Sequence, residues 1–507
     1  MTRRIAVVGG GPGGAFAARL LKLAEPSWTV DLYEEHPALE TFGFGVGLSV
    51  SAQHSLGRGD PETFAAIDRA AHRGHGMRMY ADSGSVRMPG NDTMAIARAT
   101  LLQILYRQAE AAGVRVTVGG RVDSWALDAD VVIAADGVNS PTRTSCAEDF
   151  GVRVVTGRQR YIWCGTDHAL PDALFAPVRT EHGVFTVHAY PYRGDRSTFL
   201  VETDEATWRA AGFEHTSEGL APGRSDEVAL DYLQEAFAEH LGGARLLGNN
   251  SRWTRFRTVR CASWSSGPVV LLGDAAHTAH YSVGSGTKLA MEDAIVLAES
   301  LAGHADTAEA FAVYQRVRQP SVERLQELAD RSQLWWEAYT RRLGMPAERL
   351  LASFLTRAGN VALSEFRARE PKLAEAALSQ YAGTTPPDSG EQALQSWVFA
   401  QPLKHGELSL PSREAGRAGV ALAHRTCDLD DPRDARADAF VAACAEAAVG
   451  VELDGPATRA GVLRRLDVAE RLVHETGLLT SVRAPAEFSA DLAAGLVAGR
   501  THLISVS

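Results

Sequence analysis

Three stretches of the chain carry residues suited to gripping a phosphorylated ligand: Gly9-Gly10-Gly11-Pro12-Gly13-Gly14, Asp136-Gly137 and Gly273-Asp274-Ala275-Ala276-His277. In Gly9-x-Gly11-x-x-Gly14 the first glycine permits a tight turn out of a strand. The second lets a phosphate approach the backbone, and the third lets the following helix pack close. A helix starting near Pro12-Gly13 offers unpaired N–H groups and partial positive charge to a pyrophosphate. About 20 residues further on, where this motif places its ribose-binding acid, stands Glu34, whose carboxylate can accept both ribose hydroxyls. Glu35 beside it would repel a 2′-phosphate, which favours FAD or NAD over NADP at this position.

The other two stretches lengthen the ligand. Asp274, followed by Ala275, ends an apolar run over 268–272, where its carboxylate can accept a ribityl hydroxyl. A helix start around Gly284, Gly286 and Thr287 would face the N1/C2-oxygen edge of a flavin, and its dipole would stabilise the negative charge of the reduced ring. Asp136-Gly137 closes a third strand beside the phosphates, unless Asp136 is simply a turn residue. Arg98 opens a helix and can reach a phosphate or the flavin edge. The three motifs in this order describe a pocket around one long dinucleotide, and FAD is the cofactor of that length.

Periodicity supplies the elements that must position these groups. Residues 4–35 predict a strand, a glycine-rich turn, a helix over 15–24 and a strand over 28–33. Residues 98–112 place Leu101, Leu102, Leu105 and Ala109 at helical spacing, and short strands follow over 114–118 and 130–135. Between about 153 and 260, alternating runs such as 184–190 and 197–202 predict half-buried antiparallel strands. Residues 268–272 are apolar throughout, like a strand buried in a parallel sheet, and lead into a helix over 285–302. The expected fold is α/β. A Rossmann-like FAD-binding domain (1–150, with a short excursion near 76–95 into the substrate domain, and 263–320) is interrupted by a β-rich substrate domain (151–262). A helical region (321–385), a linker over 384–390 and a small C-terminal α/β region (391–507) follow.

A chain of 507 residues exceeds what one hydrophobic core usually supports. Its 45% hydrophobic and 22% charged residues match a soluble globular protein, and the net charge of -11 argues against nonspecific nucleic-acid binding. Arg3-Arg4 runs straight into Ile5-Ala6-Val7-Val8, leaving no room for a signal-peptide core. Nowhere do about 18 apolar residues run together, so no membrane span is expected. Cys146, Cys164, Cys261, Cys427 and Cys444 are scattered without a CxxC, as expected of free thiols in a reducing cytoplasm. The sequence leaves the oligomeric state open, and no metal site is expected.

The GxGxxG, the arginine before a leucine-rich helix, the DG and the GD, in this order, resemble the flavin aromatic monooxygenases of the para-hydroxybenzoate hydroxylase type over roughly residues 4–330. The resemblance implies FAD reduced by transiently bound NADH or NADPH, reaction with O2 to a C4a-hydroperoxide, and hydroxyl transfer to an electron-rich ring. Two positions depart from the family: Tyr281 stands where it usually has proline, and Lys288 where it usually has asparagine. Both fit a narrower group. The run 273–293, together with 41–46 (its Val46 placed at the cofactor), 160–166, 182–191 and 202–208, resembles the salicylyl-CoA 5-hydroxylases and the flavin half of the 2-aminobenzoyl-CoA monooxygenases. The latter continue into an old-yellow-enzyme barrel of ~250 residues. The end of this chain, from Glu470 onward, resembles that barrel's last βα units, which implies a reduced remnant without its own flavin.

The implied substrate is an aromatic acyl-CoA thioester, best matched by salicylyl-CoA going to gentisyl-CoA, since its C5 lies para to a phenol. His280 and Tyr281 are expected to orient the ring or handle its phenolic proton; equally, His280 can hold a tight loop and Tyr281 can pack on the flavin. Lys288 either reaches the substrate carbonyl or flavin, or caps the loop. Phe42, Phe44, Trp163 and Tyr190 are candidates for an apolar wall that excludes water. The phosphates of CoA need cations; Arg252, Arg255, Arg257 and Arg260 form one cluster and Arg69, Arg73 and Arg78 another. The alternatives are 2-aminobenzoyl-CoA or an indole-type ring as substrate, and a FAD-binding protein without catalysis.

Overall fold

The computed structural model describes residues 2–37, 43–90, 92–217, 219–221, 223–284, 286–388 and 390–507. The chain divides into two compact units, Met1–Arg78 with Pro89–Gln333, and Met79–Met88 with Leu334–Ser507.

The first unit contains a six-stranded sheet in the order Ser265–Ser266, Val269–Leu271, Val131–Ala134, Arg4–Val8, Thr29–Glu34, Arg115–Val118. Its strands run parallel except the first, which is antiparallel to its neighbour. Val7 lies between Leu32 and Ile133 in register, and all three are fully buried. This explains why these strands are apolar throughout rather than alternating. Pro12 begins the first helix, Pro12–Ala24, where a missing N–H costs nothing. Gly113, left-handed at φ 94°, ends the helix Arg98–Ala112.

The same unit holds an antiparallel sheet with Leu246–Leu247, Val152–Thr166, Arg196–Thr203, Gly183–Arg193 and Asp172–Thr180 side by side, and Thr254–Cys261 paired to Val152–Thr166. Tyr161 faces Glu202 across one strand pair and Glu202 faces Thr186 across the next. Residues directly opposite share a face, so Tyr161, Trp163, Leu200, Glu202 and Thr186 all point to one side. Helices Glu205–Ala210, Glu227–Ala236 and Ala238–Leu241 also fall within the span read as β-rich. A small ribbon joins Gly45–Leu48 and His72–Arg73 to either side of Met94–Ala97. The helix Thr307–Glu337 runs unbroken past position 320, where the sequence pointed to a boundary, with Pro320 inside it. Burial of Val322, Gln326 and Ala329 on one face outweighs the single backbone bond that proline removes.

In the second unit, Ala423–Thr426, Gly450–Asp454, Leu479–Ala484 and Leu503–Val506 form a four-stranded parallel sheet in chain order. The helices Ala435–Cys444, Arg459–Thr476 and Ser489–Val497 connect them. Consecutive βα repeats of this kind build eight-stranded barrels; here they form an open sheet. Leu479 and Leu503 at the strand starts cluster with Leu403, Leu410 and Ala415. Helices Ala347–Thr356, Leu363–Arg369, Pro371–Ala382 and Glu391–Phe399 complete the unit. Among the described residues no helix is long and apolar enough to cross a membrane.

Candidate active site

The glycine-rich loop has room on one side only. Gly9 is left-handed at φ 103°, and a Cβ there would sit 2.2 Å from the Ala135 carbonyl oxygen. A Cβ on Gly14 would lie 2.0 Å from the Gly9 oxygen, whereas nothing lies within 4 Å of the corresponding point at Gly11. The Gly10 N–H donates to Glu34 Oε2 at 2.7 Å and the His36 N–H to Glu34 Oε1 at 2.9 Å, tying the loop to the end of the second strand. Tyr106 closes the back of the loop so tightly that a Cβ on Gly10 would meet its Oη at 1.8 Å. The sequence carries no local signal for that contact, because it joins a loop to the third turn of a helix about 95 residues away. Glu35 is exposed and lies 3.6 Å from His36 Nε2.

At the end of the third strand, Asp136 Oδ2 accepts from the Thr142 N–H (3.1 Å) and hydroxyl (2.6 Å), while its Oδ1 is buried without a hydrogen-bond partner. Gly137 makes the turn at φ 78°. Buried Arg143, also missed from sequence, bolts this loop to the next: it donates to the carbonyls of Val138 (2.6 Å), Ala275 (2.8 Å) and Asp274 (3.3 Å).

The loop after Val269–Leu271 sends Asp274 and His277 in opposite directions. His277 turns inward, its Nε2 2.7 Å from Asp293 Oδ2, and Arg318 Nε donates to Asp293 Oδ1 at 2.7 Å. Burial pushes the Asp293 carboxyl up, but His277 and Arg318 together more than offset this and hold it below the usual range. Asp274 turns outward. Its carboxylate has no hydrogen-bond partner among the described residues, and a Cβ on Gly286, at the start of helix Gly286–Gly303, would be 3.9 Å from its Oδ1. Surrounding protein raises its pKa, with His277 and Arg98 opposing. Arg98 shares this setting: its guanidinium has no hydrogen-bond partner among the described residues, and enclosure lowers its pKa while Asp274 opposes the shift. Both side chains are reached by solvent yet hemmed in by protein, as groups lining a recess are. Gly284 ends the preceding turn at φ 62°, Thr287 lies in the first turn of the following helix, and Val46 pairs with Ile96 in the small ribbon.

A partnerless carboxylate, a partnerless cation, an orphaned Asp136 oxygen and a loop open only at Gly11 fit FAD, which brings two phosphates and a row of hydroxyls. Its adenine and flavin ends would meet groups that the fold holds without internal partners.

The turn Tyr281–Val283, further along the same loop, brings Tyr281 into an aromatic cluster. The Tyr281 ring is 5.0 Å from Tyr161, 5.8 Å from Trp163, 5.8 Å from Phe256 and 4.1 Å from His280, centroid to centroid. Its hydroxyl donates to Glu202 Oε1 at 2.6 Å. Burial pushes the Tyr161 phenol up to about 12, with Arg257 opposing and the charges of Glu202 and Asp274 adding to the shift. Tyr190 is likewise pushed up to about 12 by burial, and its hydroxyl donates to the Gly45 carbonyl at 2.9 Å. Phe44 packs on Gly165, where a Cβ would be 2.3 Å from its ring. Thr41, Phe42 and Ser285 lie outside the described residues. His280 is buried, with Nδ1 2.8 Å from the Ser282 hydroxyl and capping the turn Tyr281–Val283. Lys288 Nζ pairs with Glu292 at 2.9 Å, and Glu292 also meets Arg318. Sequence reasoning missed Glu202, whose partner is 79 positions away.

The arginine clusters are not gathered into one cationic patch. Alternation along Thr254–Cys261 sends Arg257 and Arg260 to opposite faces. Arg260 pairs with Asp330 at 2.6 Å, Arg257 meets Asn139, and Arg252 donates to the Leu220 and Arg224 carbonyls. Arg255, Arg160 and Arg209 share Glu205. Arg73 pairs with Asp68.

A glycine-rich βαβ turn, two further strand-end loops and an antiparallel sheet floored with aromatics define a FAD-dependent oxidoreductase. A family model described as a FAD binding domain matches residues 91–329. Salicyloyl-CoA 5-hydroxylase from Streptomyces sp is 40% identical over 361 residues, covering 70% of this chain and 69% of that protein. A 3-hydroxy-4-methyl-anthranilyl-(aryl-carrier protein) 5-monooxygenase from Streptosporangium sibiricum is 37% identical over 358 residues, 71% of this chain and 95% of that one. The crystal structure of a variant 2-methyl-3-hydroxypyridine-5-carboxylic acid oxygenase shares the fold, with a TM-score of 0.53 at 21% identity over 74% of this chain and 97% of that one. The chain belongs to the flavin-dependent aromatic monooxygenases.

Proposed function

We propose that this monooxygenase hydroxylates an aromatic acyl thioester, salicylyl-CoA to gentisyl-CoA, with NADH or NADPH as transient reductant and O2 as oxidant. The observation that carries the reading is the cluster of Tyr161, Trp163, Phe256 and Tyr281, an aromatic wall with two phenols, one of them in the loop that follows Asp274. Two relatives named as 5-hydroxylating enzymes of aryl thioesters support it.

FAD would lie on Gly9, Gly11, Pro12, Gly13 and Gly14, with its ribose on the free lone pairs of Glu34 and Glu35 excluding a 2′-phosphate. Arg98, Asp136 and Gly137 would flank its phosphates, Asp274 and Ala275 its ribityl chain, and Val46, Gly284, Gly286 and Thr287 the ring. When bound it takes a hydride from the nicotinamide and activates oxygen. The protein's own residues set the rest. Tyr281 receives the substrate phenol and so orients C5, the para carbon, toward the flavin. His280, fixed by Ser282, packs tilted against Tyr281 and holds its ring. Lys288, fixed by Glu292, shapes the start of the helix Gly286–Gly303, whose first turn would face the flavin. Phe44, Trp163 and Tyr190 keep water out. A 2-aminobenzoyl thioester is the second reading, favoured by the anthranilyl substrate in one relative's name.

The test is NADH oxidation by the FAD-loaded protein with salicylyl-CoA and with free salicylate, together with the mass of the product. Oxidation stimulated only by the thioester, with one oxygen atom gained, is expected. Equal oxidation with both, and no oxygenated thioester, would overturn the proposal.

A further inference from the structure

The aromatic cluster holds a donor with nothing to give its proton to. Trp163 Nε1 is enclosed by protein and has no hydrogen-bond partner, whereas a buried indole N–H usually finds one. Resting on the reading above, we infer that Trp163 is a specificity-determining residue whose N–H receives the carbonyl oxygen of the substrate thioester. Trp163 alternates along Val152–Thr166 with Ile162 and Cys164, which are fully buried on the far side of the sheet. Its own half-buried ring stands on the side of Tyr161 and Glu202, 5.8 Å from the Tyr281 ring and inclined to it by 70°. The Ser251 hydroxyl pins that stretch of strand by donating to the Trp163 carbonyl at 2.6 Å. Trp208 and Trp253 also leave an N–H unpaired. They lie against Arg160 and Phe185, which alternate with Tyr161 and Thr186 and so belong to the opposite side.

The chemistry of the donor selects its ligand. An acyl group stands ortho to the phenol of a salicylyl ring, so with the phenol at Tyr281 the carbonyl comes to a neighbour of that ring. An indole N–H donates and never accepts, which suits a carbonyl oxygen. It is also neutral, so it offers a free carboxylate no counter-charge. Glu202, 3% exposed on the same side of the sheet, adds repulsion against such a carboxylate. The thioester is thereby recognised at the one atom, its carbonyl oxygen, that it keeps without the charge of the free acid.

The test pairs the protein donor with the ligand acceptor. Calorimetric titration of the FAD-loaded protein, without nicotinamide, compares salicylyl-CoA with S-(2-hydroxybenzyl)-CoA, a thioether in which a methylene replaces the carbonyl. The unmodified protein should bind the thioester about tenfold or more tighter than the thioether. In Trp163→Phe, which keeps an aromatic wall, that gap should shrink to under about threefold, with FAD retained and the thioether bound no more weakly than before. Equal affinities on the unmodified protein, or a gap that survives in W163F, would overturn the inference. So would an equal loss of both ligands, which would make the indole a packing group. Should W163F not retain FAD, the carbonyl stretch of isotope-labelled salicylyl-CoA bound to the unmodified protein decides. A band below its position in apolar solvent supports the inference, and an unshifted band overturns it. An unmodified protein that binds neither ligand and oxygenates no aryl thioester brings down the underlying reading instead, so the two failures are distinct.

Discussion

Both units contain a largely parallel sheet with charged side chains on it or on the elements around it, but they treat those charges in opposite ways. In the first, Asp274 and Arg98 line a recess with no hydrogen-bond partner among the described residues. In the second, buried Glu452 takes Arg483 at 2.6 Å, Ser505 and His424 at 3.1 Å. Arg500 is divided between Glu470 at 2.7 Å and Asp467, and Glu470 also meets Arg342. Architecture therefore does not separate a binding site from a scaffold. What separates them is whether the fold has already matched its charges: Asp274 and Arg98 stay open to solvent, whereas Glu452, Glu470 and Asp467 are buried and paired. Asp274, in the turn after Val269–Leu271, and Asp293, within the helix Gly286–Gly303, repeat the contrast.

The sharpest way to break the comparison is at Gly9. Gly9→Ala forces a side chain into a left-handed position, about 1–2 kcal/mol, and onto the Ala135 carbonyl, about 1–3 kcal/mol more. Purified protein is expected to retain essentially no flavin by absorbance, while an equally well-folded variant retaining full flavin would contradict the reading of that loop. Next, Arg500→Met should lower stability by about 3–5 kcal/mol, the usual cost of stripping one partner from a buried ion network. Denaturant unfolding should register that loss while FAD affinity stays unchanged. Asp274→Ala should do the reverse. It forfeits a charged hydrogen bond of about 1.5–3 kcal/mol, weakening FAD about ten- to a hundredfold in a fluorescence titration without lowering the stability of the flavin-free protein. If both substitutions changed stability alike, the contrast would fail. The smallest effect is expected at Glu205. Arg160 leads three arginines that draw its carboxyl down from 4.5 to about 2. A depressed carboxyl contributes stability above its unfolded value and loses it as pH falls through the folded one. Glu205→Gln should therefore flatten the acid limb of unfolding between about pH 4.5 and 2, with no change in flavin binding.

Much of the framework around the glycine-rich turn was legible because it is built from local rules. The turn at Gly9, the acid at the end of Thr29–Glu34 and the helix Arg98–Ala112 each depend on residues close in sequence. The apolar run before Gly273 announced a buried strand in the same way. What stayed hidden depends on strands meeting. Glu202 reaches Tyr281 only because the antiparallel register turns both toward one side, and Tyr106 reaches Gly10 only through the packing of a helix on the sheet. Four arginines near each other in sequence looked like a cluster; alternation along their strand and nearby acceptors disperse them. The C-terminal sheet was hinted at only by the resemblance of the segment from Glu470 onward to βα units, while its short strands carry too few residues to show a period.

At Gly13 the first helix comes against helix Gly286–Gly303 with nothing but hydrogen between them: a methyl group there would lie 2.9 Å from the Ala290 Cβ and 2.6 Å from Leu272. One helix begins at the glycine-rich loop and the other just past Asp274, so this contact works as a caliper. It fixes how far apart the two jaws stand, and hence how long a molecule can be held between them.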